Sequence, residues 1–149
     1  MSLFGIMSVS ASGMAAQRMR AAVVAENMAN SETTRTAEGG PYQRKQVVFE
    51  AREQSSPFSS QLEMADRQMS GGPTQGVIVR EVITDPREPQ LRYLPGHPDA
   101  NAEGYVAFPQ VEPTDEMVDL MSASRGFQAN VSAVVAVRDM INRSLDLLR

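Results

Sequence analysis

The chain contains no cysteine, no tryptophan and a single histidine. Without cysteine there is no disulfide, no thiol nucleophile and no thiolate metal site, and nothing is fixed about redox compartment. His97 alone cannot supply a histidine metal set or a Ser-His-Asp arrangement. It is expected to be structural or solvated within a proline-rich turn. Aromatic residues make up only 5% of the 149 residues, too few for a core built on large rings. No apolar run approaches the roughly 18 residues of a membrane span, so no membrane insertion is expected. The net charge of −4 comes from interspersed acids and bases. That balance offers no basic stripe for nucleic acid. The glycine pair in "EGGPY" lacks the spacing and following helix of a phosphate loop. No cofactor is expected. The opening residues carry no basic leader ahead of their apolar part and are not expected to be a cleaved secretory signal.

What the chain does have is ten methionines and many alanines. This composition favours helix–helix contact, because small residues allow close approach and methionine fills irregular gaps. Residues 3 to 30 are expected to be helical. Met7, Met14, Ala21 and Met28 recur every seven residues, and Ala11, Arg18 and Ala25 follow each step by four. The C-terminal end is more regular. From Met117, alternating steps of three and four reach Leu120, Ser124, Phe127, Val131, Val134, Arg138, Ile141, Leu145 and Leu148. Eight of these ten positions are large and apolar, which points to a coiled-coil surface. Val137, Met140 and Leu147 lie off that stripe, so the helix is expected to touch more than one neighbour. Pro113, Thr114 as N-cap and the first-turn acids Asp115 and Glu116 mark its start. Gly126 in its interior calls for a close contact.

Between the helices, "QVVFEAR" (46–52), "GVIVREVI" (76–83), "QLRYL" (90–94) and "GYVAF" (104–108) read as short strands forming a small sheet. Residues 53 to 75, rich in Ser with Pro57, Pro73 and a Gly-Gly pair, read as a mobile loop with a helical turn near 62–69. Residues 94 to 104 read as a rigid turn segment. The fold class expected is therefore α+β. Long N- and C-terminal helices (1–31 and 114–149) would form an antiparallel coiled-coil hairpin, with a small β-rich middle module (32–113). More apolar helix surface is present than one hairpin can bury, so the ends are expected to be disordered until partners cover them.

Candidate chemistry is thin. Glu63 with Asp66 reads as a solvated helix face, and Arg18 with Arg20 are too few charges for a polybasic lipid anchor. Two amides stand out in "AENMANSETT" (25–34). Asn30 can end the first helix by adopting a left-handed conformation. Asn27 is either an exposed cap-region amide, or it bonds a neighbouring chain or the returning C-terminal helix and fixes its register. Asn130, in "FQAN", is either solvated or an intersubunit hydrogen-bonding group.

These residues also carry a family resemblance. "NMANSETT" followed by "GGPYQRK" resembles the pattern after the N-terminal helix of bacterial flagellar rod and hook proteins, and "EMVDLMSASRGFQANVSAV" (116–134) resembles their C-terminal signature. "MSLFGI", "YQRKQVVFE" and "YLPGHPDANAEGYVAFPQV" (93–111) are similar to the proximal-rod branch of that family. The resemblance implies a structural, non-enzymatic subunit that polymerises through its terminal helices into a helical tube. Such a tube transmits torque and serves as an export channel. It implies a periplasmic place in the flagellar basal body, reached through flagellar type III secretion without a cleaved signal. The implied partners are further copies of the chain, the rod proteins FlgB, FlgF and FlgG, the adaptor FliE and the ring protein FliF. Met7, Ala11, Met14, Ala21, Ala25, Asn27, Met28, Asn30, Met117, Leu120, Phe127, Asn130, Val131, Val134, Ile141, Leu145 and Leu148 are the expected subunit interface. Two other readings are a peptidoglycan-acting enzyme, since such rods cross the cell wall, and a discrete coiled-coil adaptor.

Overall fold

A computed structural model describes residues 3–52 and 76–146. Two long helices bracket a small β-rich middle. Helix α1 spans Leu3–Ala29, and helix α2 spans Pro113–Asp146. Four strands lie between them: β1 (Lys45–Ala51), β2 (Val77–Thr84), β3 (Gln90–Tyr93) and β4 (Tyr105–Phe108). The expected loop between β1 and β2, with its helical turn, lies outside the described residues.

The strands do not make one sheet. They form two separate pairs, β1 with β2 and β3 with β4. Hydrogen bonds from Arg52 N–H to Gly76 O and from Asp85 N–H to Arg44 O close the two ends of the first pair and make it antiparallel. The second pair is antiparallel with Tyr93 opposite Tyr105 and Arg92 opposite Val106. Alternation then sorts the side chains. Val106 is fully buried, while Leu91, Tyr93 and Tyr105 lie on the other face and are exposed.

The segment from Leu94 to Gly104 joins β3 to β4 and is heavily hydrogen-bonded. Leu94 N–H donates to Gly104 O, Asn101 N–H to Tyr105 O, and Gly104 N–H to Asn101 O. The Asn101 carboxamide oxygen also accepts from the N–H groups of Glu103 and Tyr105. Gly104 has a φ of +83°, which only glycine adopts cheaply, and a Cβ there would also strike the Tyr93 ring. His97 belongs to this turn: its Nδ1 accepts from Asp99 N–H, and its ring meets Phe108 edge-on.

Helix α2 begins one residue earlier than expected. Pro113 is its first residue, a position where the missing N–H costs nothing and the fixed φ already suits a helix. The first turn closes with Glu116 N–H donating to Glu112 O. Helix α1 ends where expected but by another mechanism. No described residue other than glycine has a positive φ, so Asn30 is not left-handed. Instead its side-chain amide donates to Glu26 O and the Ser31 hydroxyl donates to Met28 O, which satisfies the last carbonyls directly.

The chain forms two compact units, and each contains part of both helices. The first holds, among described residues, 3–18, 49–52, 76–80 and 123–146; the second holds Met19–Val48 and Glu81–Ser122. Ser10, Ala16, Ala123 and Val137 are buried in the first. Val23, Val24, Asn27, Tyr42, Val106, Val111 and Glu116 are buried in the second. No helix among the described residues is long and apolar enough to cross a membrane.

Candidate functional site: the helix faces and the Asn27 junction

Asn27 lies in the last turn of α1 and is only 1% exposed. Its side chain has two acceptor sites and two donor hydrogens, and all four are used. The oxygen accepts from the Tyr42 hydroxyl at 2.9 Å and from Lys45 N–H at 2.9 Å. The nitrogen donates to Lys45 O at 2.8 Å and to Glu116 Oε2 at 3.1 Å. Exchanging both bonds with Lys45 makes the amide act as a neighbouring strand would, at the first residue of β1. The fourth bond ties the same amide to the first turn of α2. One side chain thereby joins three stretches of chain.

Glu116 is a first-turn acid of α2, as expected. It is also fully buried, and its carboxylate serves the junction. Oε1 accepts from Arg44 Nε at 2.6 Å, and Oε2 from Asn27. A buried charge is tolerated only when paired and hydrogen-bonded, and both conditions are met. A second acid one turn on extends the network. Asp119 pairs with Arg20 at 2.8 Å and lies 3.8 Å from Arg44. At the exposed edge, Lys45 pairs with Glu26 at 2.6 Å, which holds its ammonium above the usual lysine range. The Tyr42 hydroxyl is likewise pushed up, first by burial and then by the nearby Glu26 charge.

In the first unit the helices meet through small residues. A Cβ at Gly126 would lie 3.1 Å from the Gln17 side chain, the close contact that a mid-helix glycine implied. Asn130 donates to Gly126 O at 2.8 Å within its own helix and rests against Gly13.

Residue burial defines the inward stripe of each helix. On α2 it follows Glu116, Ala123 and Val137 with half-buried Asn130 between them, flanked by half-buried Leu120, Val134 and Ile141. The expected stripe shared the second row but ran one residue further round in the first. Met117, Val131 and Leu145 are exposed, as is Phe127 to a lesser degree. On α1 the buried positions are Ser10, Ala16, Val23, Val24 and Asn27. Met7, Met14, Ala21, Met28 and Asn30 are half-buried, and Ala11 and Ala25 are exposed. Leu148 lies outside the described residues. The physical reason is that small and polar residues interrupt the valines of the inward faces: Ser10, Ala16 and Asn27 on α1, Glu116 and Ala123 on α2. These carry little apolar signal, so the apolar period registers the faces left outside.

Among the described residues no group of three or more His, Cys, Asp or Glu could hold a metal ion. An open cleft in the second unit is lined by Arg44, Arg87 and Arg92 and by Glu112, Asp115 and Glu116, a balanced set of charges. Arg87 is held by Asp85, and Arg92 lies over the Phe108 ring.

Comparison with known proteins agrees with this picture of a chain built for contact. The family described as "Flagellar basal body rod FlgEFG protein C-terminal" matches residues 102–147. The flagellar basal-body rod protein FlgC of Bacillus subtilis is 43% identical, over 99% of both chains. The chain belongs to the FlgC family of flagellar basal-body rod proteins. Two further FlgC proteins show the same reach: that of Salmonella typhimurium is 39% identical over 99% of this chain and 98% of its own. That of Borreliella burgdorferi is 36% identical over 100% and 99%. As a FlgC-family member the chain is a structural subunit of the flagellar basal-body rod.

The sequence pointed to Asn27 but not to its partners. Tyr42 and Lys45 lie in the block "GGPYQRK", whose resemblance to the family was the available signal. Glu116 opens the block "EMVDLMSASRGFQANVSAV", whose resemblance to the family was likewise the available signal; as a first-turn acid it already had a sufficient local explanation.

Proposed function

We propose that the chain builds the proximal part of the rod by polymerising through its terminal helices, packed as an antiparallel coiled-coil core. Residues 1–31 and 114–149 supply that core, and residues 32–113 supply the β module beside it. The resulting helical tube transmits torque and passes export substrates. Further copies of the chain, FlgB, FlgF, FlgG, FliE and FliF are its neighbours there. The subunit reaches the periplasm through the flagellar type III apparatus, and its role is structural rather than catalytic.

One observation carries this reading. On α2, Met117 and Met121 are more than half exposed, and Val131 and Val135 follow on the same side at 38% and 42%. These residues lie away from the inward stripe of Glu116, Ala123 and Val137. A row of large apolar side chains along a helix, on the side its own chain leaves open, is the signature of an interface. Within each unit the two helices also meet in opposite sense: Gln17 faces Gly126 while Gly13 faces Asn130, and Arg20 pairs with Asp119 while Asn27 bonds Glu116. That order supports the antiparallel arrangement.

Val131→Asp and Leu145→Asp test the proposal. Each should abolish incorporation into rods, read by purification of basal bodies, while secretion of the subunit continues. Rods of normal length and content from either variant would overturn it.

A further inference from the structure

We propose that Met117 and Met121 are an oxidation-sensitive pair on α2. A peroxide converts both to methionine sulfoxide in the free subunit, and the oxidised subunit stays folded but no longer docks. The loss of docking rests on the assembly reading above; the reactivity and the intact fold do not.

The chain has no cysteine, so the thioethers of its ten methionines are its readiest two-electron reductants. Among the described residues, Met7, Met14 and Met28 are half-buried. Met117 and Met121 are the most open, at 55% and 53%, ahead of Met140 and Met19. Four residues apart on a helix, the two side chains are neighbours on one face. Val118, also more than half exposed, lies beside them.

The turns that carry the pair are anchored from the other side. Glu116 accepts from Arg44 and Asn27, Asp119 pairs with Arg20, and Ala123 is fully buried. None of those contacts runs through a methionine sulfur. Oxidation therefore changes the surface of this part of α2 and leaves its attachment intact.

The chemistry needs only a peroxide. The thioether sulfur attacks one peroxide oxygen, an S–O bond forms as the O–O bond breaks, and sulfur gives up two electrons. The proton of the transferred oxygen passes to the departing hydroxide, which leaves as water. A polar, chiral side chain then stands where a flexible apolar one was. In contact with water the sulfoxide costs little. Covered by a partner, an unpaired polar group weakens binding roughly tenfold to a hundredfold. Docking in turn closes the surface to peroxide, so the sensitivity belongs to the subunit before incorporation.

Hydrogen peroxide applied to the purified full-length subunit, with peptide mass mapping over time, tests the reactivity. Met117 and Met121 should each gain one oxygen several-fold faster than Met28, with no change in the urea midpoint. Methionine sulfoxide reductases for both epimers, with a dithiol, should restore the original mass. In basal bodies treated after isolation, both residues should remain thioethers. Paired substitutions test the consequence. Met117→Leu with Met121→Leu keeps the volume and apolar character and should enter rods normally. Met117→Gln with Met121→Gln, the stand-in for the sulfoxides, should lower the subunit content of purified basal bodies roughly tenfold or more. Oxidation of Met28 as fast as the pair, a lowered urea midpoint, or a glutamine pair that enters rods as the wild type does would overturn the proposal. Exclusion of Val131→Asp from rods alongside normal entry of the glutamine pair would sink this proposal alone. Normal entry of Val131→Asp would sink the assembly reading, whatever the peroxide rates.

Discussion

A Cβ on Gly13 would stand 2.9 Å from Oδ1 of Asn130. That is closer than two such atoms approach, so the Asn130 amide would have to move, and the amide is held by its bond to Gly126 O. Gly13→Ala gains about 1 kcal/mol in helix propensity. It loses a hydrogen bond of about 1 kcal/mol and adds roughly 1 kcal/mol of overpacking. The net loss of about 1 kcal/mol should raise the critical concentration for assembly about fivefold. Turbidity or sedimentation across a concentration series measures it.

Asn27→Asp should be far more damaging than its size suggests. Aspartate keeps both acceptors but cannot donate to Lys45 O, and it sets a second carboxylate against Glu116. Destabilisation of about 3 kcal/mol is expected, as for a buried charge left unpaired. A lowered urea midpoint, followed by circular dichroism, provides the measurement.

Glu116→Ala and Glu116→Gln should separate charge from shape. Alanine strands Arg44, whose side chain is 17% exposed, and removes the acceptor for Asn27. It should cost about 3 kcal/mol. Glutamine retains one oxygen able to accept from Asn27 or Arg44 and should cost less, about 1–2 kcal/mol. If the two variants unfold at the same urea concentration, the carboxylate is not the keystone described above.

Alkaline pH should weaken the junction through Tyr42. Its hydroxyl pKa is raised in the folded state from an unfolded value of 10.0. The raised value means that the folded chain holds the proton more tightly. Stability is therefore full below pH 10 and declines as pH climbs through the folded value. Lys45, raised from 10.5 by Glu26, loses its contribution in the same direction. Tyr42→Phe should cost about 1 kcal/mol at neutral pH by removing the bond to Asn27, and should flatten the decline above pH 10. Thermal melts from pH 7 to 11 on both proteins make the comparison.

The two helices, the four strands and the turn segment at 94–104 were legible because each has a strong local cause. Pro113 and two acids open α2, Asn30 and Ser31 close α1, and glycine or proline adjoins β2, β3 and β4. Pairing into two separate hairpins was less visible, since short strands specify neighbours only through side chains far along the chain. The inward faces were not legible because Gly13, Ala16, Ala123 and Gly126 carry no apolar period. An apolar stripe tells that a face will be covered, not whether the cover comes from the same chain. Asn27 was visible as an anomaly, an amide in an alanine-rich helix. Its three partner residues come from positions up to 89 residues away, and no local pattern announces them.

The saturation of Asn27 also bears on how long the molecule lasts. Asparagine is a chemically perishable residue, prone to losing its amide to become aspartate when the backbone nitrogen that follows can swing onto the side chain. Here the side chain is gripped at both ends, and the following nitrogen sits within a helix. The damaging change to aspartate is thus the one that spontaneous ageing would introduce, and the same four bonds that make the position sensitive shield it from that fate.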